Sequence, residues 1–207
     1  MTDTPTTQAS LLVRLGDAAD APAWGQFVDL YAPPVYACGR RHGLQDADAA
    51  DVTQDVLRAV HRAFRRGDYD PRRGPFRAWL FTVVRNKLRD FARRAGLRER
   101  PENCLADVPA RGGDPAAEFE QECERRLFAW AADQVRGRFR PVTWQAFWRT
   151  AVDGTAGKDV AAELGLTVAA VYLAKGRVMA ALREQIRAVE GNDEIPMTND
   201  EGNSNAQ

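Results

Sequence analysis

Pro75-Phe76-Arg77-Ala78-Trp79-Leu80-Phe81-Thr82-Val83-Val84-Arg85-Asn86-Lys87-Leu88-Arg89-Asp90-Phe91-Ala92-Arg93-Arg94 is the stretch from which the rest of the chain can be read. Phe76, Leu80, Val83, Val84, Leu88 and Phe91 recur at steps of three and four, the period of a helix with one apolar face. Pro75 suits the start of a helix, where a missing N–H costs nothing. The spacing therefore predicts one continuous helix. From Arg85 onward its polar positions turn basic, with Arg85, Lys87, Arg89, Arg93 and Arg94. A buried stripe beside a cationic stripe suits a protein that holds a nucleic-acid backbone. The plainer alternative is a solvated surface helix whose aromatics, Trp79 included, are all core.

The flanking sequence is helical too. Ser10 can cap a short helix carrying Leu11, Leu12 and Leu15, ended by Gly16. Asp20-Ala21-Pro22 opens a second, with Trp24, Phe27, Val28 and Tyr31 on one face, and Pro33-Pro34 is expected to interrupt it. His42 is expected near a helix end as a capping partner. Residues 46–66 read as a long helix with Val52, Val56, Ala59, Val60, Ala63 and Phe64 inward. Asp48, Asp51, Gln54, Asp55 and Arg58 share another face, suited either to the helix dipole or to docking a polar partner. Residues 67–74, Gly-Asp-Tyr-Asp-Pro-Arg-Arg-Gly, form a turn-rich loop leading into the helix that begins at Phe76.

After Gly96 the periodicity fails, and residues 97–117 read as a flexible linker. Residues 118–189 resume with Phe119, Cys123, Leu127, Trp130 and Ala131, then Trp144, Phe147, Trp148, Ala151 and Val152. The segment Gly157-Lys158-Asp159-Val160-Ala161-Ala162-Glu163-Leu164-Gly165-Leu166-Thr167-Val168-Ala169-Ala170-Val171-Tyr172 has the grammar of a helix-turn-helix. Ala161 is small where the helices cross, Gly165 can take a left-handed turn, Thr167 can cap the second helix, and Val171 faces inward. Ala169, Tyr172, Leu173, Lys175 and Gly176 face outward. Residues 1–9 and the acidic residues 190–207 are expected to be disordered.

Composition narrows the function. The 207 residues carry 29 basic and 29 acidic side chains, and 44% are hydrophobic. No run reaches the roughly 18 apolar residues of a membrane span, and no signal peptide is evident, so a cytoplasmic protein is expected. Cys38, Cys104 and Cys123 form no CxxC pair; Cys38 and His42 alone are too few ligands, and no metal or cofactor is expected. No paired carboxylates with metal spacing, Gly-rich phosphate loop or nucleophile–base pattern accompanies them, so no catalytic residue is assigned.

Three blocks, in this order and spacing, resemble the extracytoplasmic-function group of bacterial RNA polymerase sigma factors: Asp46-Ala47-Asp48-Ala49-Ala50-Asp51-Val52-Thr53-Gln54-Asp55-Val56, then Phe76-Arg77-Ala78-Trp79-Leu80 with Arg85-Asn86-Lys87-Leu88-Arg89-Asp90, then the helix-turn-helix. The resemblance spans nearly everything from Ser10 to Arg187. It implies an all-α protein of two helical domains, region 2 over residues 10–96 and region 4 over residues 118–189, that lends promoter specificity to core RNA polymerase and aids promoter melting. On that resemblance Asp48, Asp51, Gln54, Asp55 and Arg58 would grip core polymerase. Arg77, Arg85, Asn86, Lys87, Arg89, Arg93 and Arg94 would serve the −10 element. Thr167, Val168, Ala169, Tyr172, Leu173, Lys175 and Arg177 would serve the −35 element. The family also breaks its second block near the asparagine into a base-capturing loop, which implies a break around residues 85–88. It admits an anti-sigma partner. Two departures stand out: Tyr172-Leu173-Ala174 follow the valine where many members carry Arg, Ser or Thr, and Thr155-Ala156-Gly157-Lys158 stand where the family often has an aromatic before its glutamates. The rivals are a helix-turn-helix regulator that binds duplex operator without core polymerase, and an enzyme acting on nucleic acid.

Overall fold

The computed structural model describes residues 10–17, 19–95 and 114–190, and the described residues are helices, one 3-10 turn and their connections. The expected loose residues 1–9 lie outside these, as do most of the expected linker 97–117 and tail 190–207, but Pro115–Ala117 and Glu190 are helical, so the linker ends earlier and the tail begins later than expected. Helix α1 is Leu11–Arg14, α2 Ala21–Arg41, α3 Asp46–Arg66, α4 Phe76–Arg94, α5 Pro115–Arg136, α6 Pro141–Ala151, α7 Gly157–Leu164 and α8 Val168–Glu190. The fold is all-α.

Local chemistry sets most of the boundaries. The Val13 N–H donates to Ser10 Oγ at 3.5 Å, opening α1. The Ala23 N–H donates to Asp20 Oδ1 at 2.9 Å, and Arg14 pairs with the same carboxylate at 2.7 Å. The Arg14 guanidinium, with the Ala23 N–H, holds the Asp20 carboxyl below the usual carboxylate range. Gly67 closes α3 in the left-handed conformation at φ 71°, where a side chain would strain the backbone. His42 caps α2, its Nδ1 lying 2.7 Å from the Cys38 carbonyl oxygen.

The expected break at Pro33-Pro34 does not occur: α2 runs through both prolines. Each removes a backbone donor, at a cost of about 3 kcal/mol in a helix interior. Leu30, Tyr31, Pro34, Val35 and Cys38 are all buried on one side of α2, and that packing holds the helix together. The break implied around residues 85–88 is likewise absent. Leu80, Val84 and Leu88 stay buried in one register through α4, with no Gly or Pro to release it.

A first core gathers α1–α4 around Phe27, Val35, Val52, Val56, Val60, Leu80 and Val84. A second gathers α6 and α8 around Val135, Trp144, Phe147, Val178 and Leu182, and a third, smaller one holds α7 to α8 through Val160, Ala161 and Val171. Helix α5 belongs to both halves. Its Phe119, Cys123 and Leu127 join the first core, while its Ala131, Ala132 and Val135 join the second. The far end of α8 returns to the first core through Val189.

Candidate nucleic-acid and polymerase interface

The acidic face of α3 is assembled as its spacing implies. Asp51, Gln54 and Arg58 are exposed, and Asp48 and Asp55 are half-buried. Gln54, Asp55 and Arg58 are linked: Arg58 Nη2 donates to Gln54 Oε1 at 2.8 Å, and its guanidinium lies 3.5 Å from Asp55. From α4, Arg94 reaches Asp55 at 3.1 Å. Asp51, Gln54, Asp55, Arg58 and Arg94, with Phe91 and Ala95, line one polar groove between α3 and α4. The groove therefore joins the expected polymerase-facing residues to the end of the basic helix.

The basic residues of α4 divide into distinct environments. Asn86 and Arg89 are exposed. Lys87 lies 3.8 Å from Asp90, and Arg93 pairs with the same carboxylate. Arg85 is half-buried, its Nε out of solvent without a hydrogen-bond partner. Arg77 stands apart. Its side chain is 12% exposed and is held by Glu120 and Glu190, with Glu124 at 3.7 Å. Burial works against its charge, but Glu190 and Glu120 outweigh burial and hold its pKa above the ordinary guanidinium value. In this structure Arg77 ties α4 to α5 and α8.

Residues 67–74, which sequence reading treats only as a turn, form a defined protrusion. Gly67 at φ 71° and Gly74 at φ 136° bracket it. Asp70 Oδ1 accepts from the Arg72 N–H at 3.0 Å, starting a turn over Pro71–Arg73. Tyr69 stacks on Phe64 with centroids 5.2 Å apart and meets Trp79 at 5.2 Å. Trp79 also faces Phe64 at 6.2 Å and Phe76 at 5.7 Å, so it is half-buried support beneath the loop. The loop thus presents Arg72 and Arg73, each with a side chain 86% exposed and paired with Asp70 at 3.0 and 3.9 Å, on an aromatic base. The signal was the pair of glycines flanking two arginines.

The second half carries the helix-turn-helix. Helices α7 and α8 cross at 104°, within the range of this motif. Gly165 turns between them at φ 65°. The Ala170 N–H donates to Thr167 Oγ1 at 3.1 Å, the cap foreseen for the second helix. Val160, Ala161 and Val171 fill the crossing. Val168, Ala169, Tyr172, Leu173, Gly176 and Arg177 are exposed, and Lys175 is half-buried. Tyr172 also reaches back to the start of α7: a Cβ on Gly157 would meet its ring and hydroxyl at 3.1 Å. The lack of a side chain at Gly157 makes room for the Tyr172 ring.

No single helix among the described residues is long and apolar enough to cross a membrane. Residues 27–98 match the family described as sigma-70 region 2. The RNA polymerase sigma factor CnrH of Cupriavidus metallidurans is 32% identical over 179 residues, covering 83% of this chain and 91% of CnrH. SigL of Mycobacterium tuberculosis, an ECF RNA polymerase sigma factor, is 29% identical over 83% of this chain and 89% of its own. RpoE of Cereibacter sphaeroides, of the same description, is 26% identical over 86% and 92%. A solved structure of CnrH in complex with the cytosolic domain of CnrY aligns at a TM-score of 0.35 and 28% identity, covering 86% of this chain and 96% of that one.

Proposed function

The chain belongs to the extracytoplasmic-function group of RNA polymerase sigma factors, which bind the core enzyme and direct promoter-specific transcription, and on that premise we propose how its surfaces divide the work. The acidic face of α3, with Asp48, Asp51, Gln54, Asp55 and Arg58, docks on core polymerase. Asn86 and Arg89 on α4, with Lys87, Arg93 and Arg94 beside them, lie along the −10 region of the promoter. Helix α8 enters the major groove at the −35 element. The chain carries no chemistry of its own, since bond formation belongs to the polymerase, and it acts in the cytoplasm. An anti-sigma partner, admitted by the family resemblance, belongs to the same proposal.

The observation that carries the division of labour is the continuity of α4. A base-capturing loop cannot lie at residues 85–88, because those residues are helical. The nearest irregular backbone that offers exposed cations over aromatic rings is residues 67–74. We therefore place strand capture on that loop. Arg72 and Arg73 hold phosphates, and α4 supports the adjoining duplex. Trapping an unpaired base offsets part of the few kcal/mol that unstacking costs.

Simultaneous contact with both elements requires the halves to separate. Centres roughly 25 base pairs apart span about 85 Å at 3.4 Å each, whereas α8, at 23 residues, is only about 35 Å long. The joint around Arg77 is where that separation begins.

The test compares Arg72→Ala/Arg73→Ala with Asn86→Ala on two templates, one fully duplex and one mismatched across the −10 element. The loop variant is expected to lose opening on duplex and to recover in part on the pre-melted template, because the unpairing cost is already met. If Asn86→Ala shows that recovery and the loop variant does not, strand capture belongs on α4.

A further inference from the structure

The outward face of α8 is apolar where sequence-reading helices carry hydrogen-bonding groups. Val168 is 44% exposed, Tyr172 58% and Leu173 62%, and Ala169 is exposed between them. From Val168 to Ala174 the helix contains no Arg, Lys, Asn, Gln, Asp or Glu. The major-groove edges of guanine, adenine and cytosine are read by hydrogen bonds, whereas thymine alone adds a methyl group. An apolar face pressed into that groove gains most from thymine methyls and leaves the polar base edges unpaired elsewhere.

We propose that this chain selects its −35 element through thymine methyl groups contacted by Val168, Ala169, Tyr172 and Leu173. The proposal rests on the reading of α8 as the duplex-reading helix, which the 104° crossing, the left-handed Gly165 and the Thr167 cap support. Exposed Lys158 and Arg177 rim the face with positive charge, as a groove between phosphates requires. Gly157 fixes the orientation of Tyr172. The ring lies against the start of α7, because the glycine leaves space that any side chain would occupy. Tyr172 is thus a positioned contact, and Leu173, one residue on and free of that seat, stands more exposed.

The experiment uses the full chain assembled with core polymerase and a pool of duplexes randomised over the upstream ten or so base pairs. Thymine is expected at two or more neighbouring selected positions. The selected duplex is then remade with deoxyuridine for thymine at one position at a time, which removes only the methyl. Each contacted position is expected to weaken binding about fourfold (~0.8 kcal/mol for one methyl-sized group). Leu173→Ala should abolish the effect of one such uracil and leave the others. Leu173 is mostly exposed, so its thermal midpoint should stay near wild type. Gly157→Ala should alter the uracil sensitivity of a different position, by displacing Tyr172. If an upstream element is selected but uracil binds like thymine throughout, the methyl readout is wrong and the promoter reading stands. If every uracil effect survives Leu173→Ala unchanged, Leu173 is no methyl contact, its apolar exposure belongs to a protein partner, and the proposal falls. If no upstream sequence is selected, α8 is not the duplex reader and both fall.

Discussion

Replacing Arg77 by methionine keeps most of the aliphatic stem and removes the charge. The loss takes the Arg77 guanidinium away from Glu190, with a side chain 27% exposed, and Glu120, 43% exposed. Breaking a fully buried ion pair costs about 3–5 kcal/mol. Here the carboxylates keep part of their hydration, and Glu124, 62% exposed, adds little. Counting Glu190 at about 2 kcal/mol and Glu120 at no more than about 1 gives roughly 2–3 kcal/mol. All three glutamates lie on α5 or α8, so that loss falls on the joint between the halves. The open population should rise by roughly 30- to 150-fold. Cys123 reports it directly. The thiol is buried in the joint, and burial pushes it up to about 12, so it reacts slowly while the joint is closed. In a Cys104→Ser background, thiol labelling followed by peptide mass spectrometry should show Cys123 reacting at least tenfold faster in Arg77→Met. The salt dependence of promoter binding by the holoenzyme should be unchanged if the Arg77 guanidinium serves Glu120 and Glu190 rather than phosphate. Labelling within twofold of wild type would refute the tie. A salt slope lower by about one charge would instead return Arg77 to the −10 contacts.

Charge reversal at Asp51 and Asp55 should weaken binding to core polymerase at least tenfold while circular dichroism shows the helical content intact; unchanged co-purification would remove α3 from the interface. Trp79→Ala should cost about 2–3 kcal/mol in urea unfolding, less than the full loss of a buried aromatic because Trp79 is only half-buried; a change under about 0.5 kcal/mol would mean the loop's aromatic base is not load-sharing. Gly165→Val should destabilise the second half by at least about 1 kcal/mol, because φ 65° strains a β-branched residue, and should abolish upstream selectivity before core binding.

Sequence periodicity was most informative where the decisive interactions are local. The helix-turn-helix could be read from Ala161, Gly165, Thr167 and Val171 because crossing, turn and cap lie within a dozen residues. The continuity of α4 followed from Leu80, Val84 and Leu88, against the break that the family resemblance implied. The path of α2 was not legible, since proline argues for a break and only tertiary packing of Leu30, Tyr31 and Val35 overrides it. The role of Arg77 was hidden for a related reason. Its partners Glu120 and Glu190 are 43 and 113 residues away, and nothing near Arg77 distinguishes it from a surface cation. The loop over residues 67–74 was visible as turns, but its seat on Tyr69, Phe64 and Trp79 joins three elements.

A chain of this family should work only through the polymerase. Core RNA polymerase, promoter-containing genomic fragments and nucleotides, with and without the purified chain, followed by sequencing of transcript 5′ ends, test it directly. Discrete start sites sharing two upstream elements are expected, present only when chain and core enzyme are combined. Sequence-specific retention of duplex fragments by the chain alone, with no start sites gained on adding core polymerase, would contradict it.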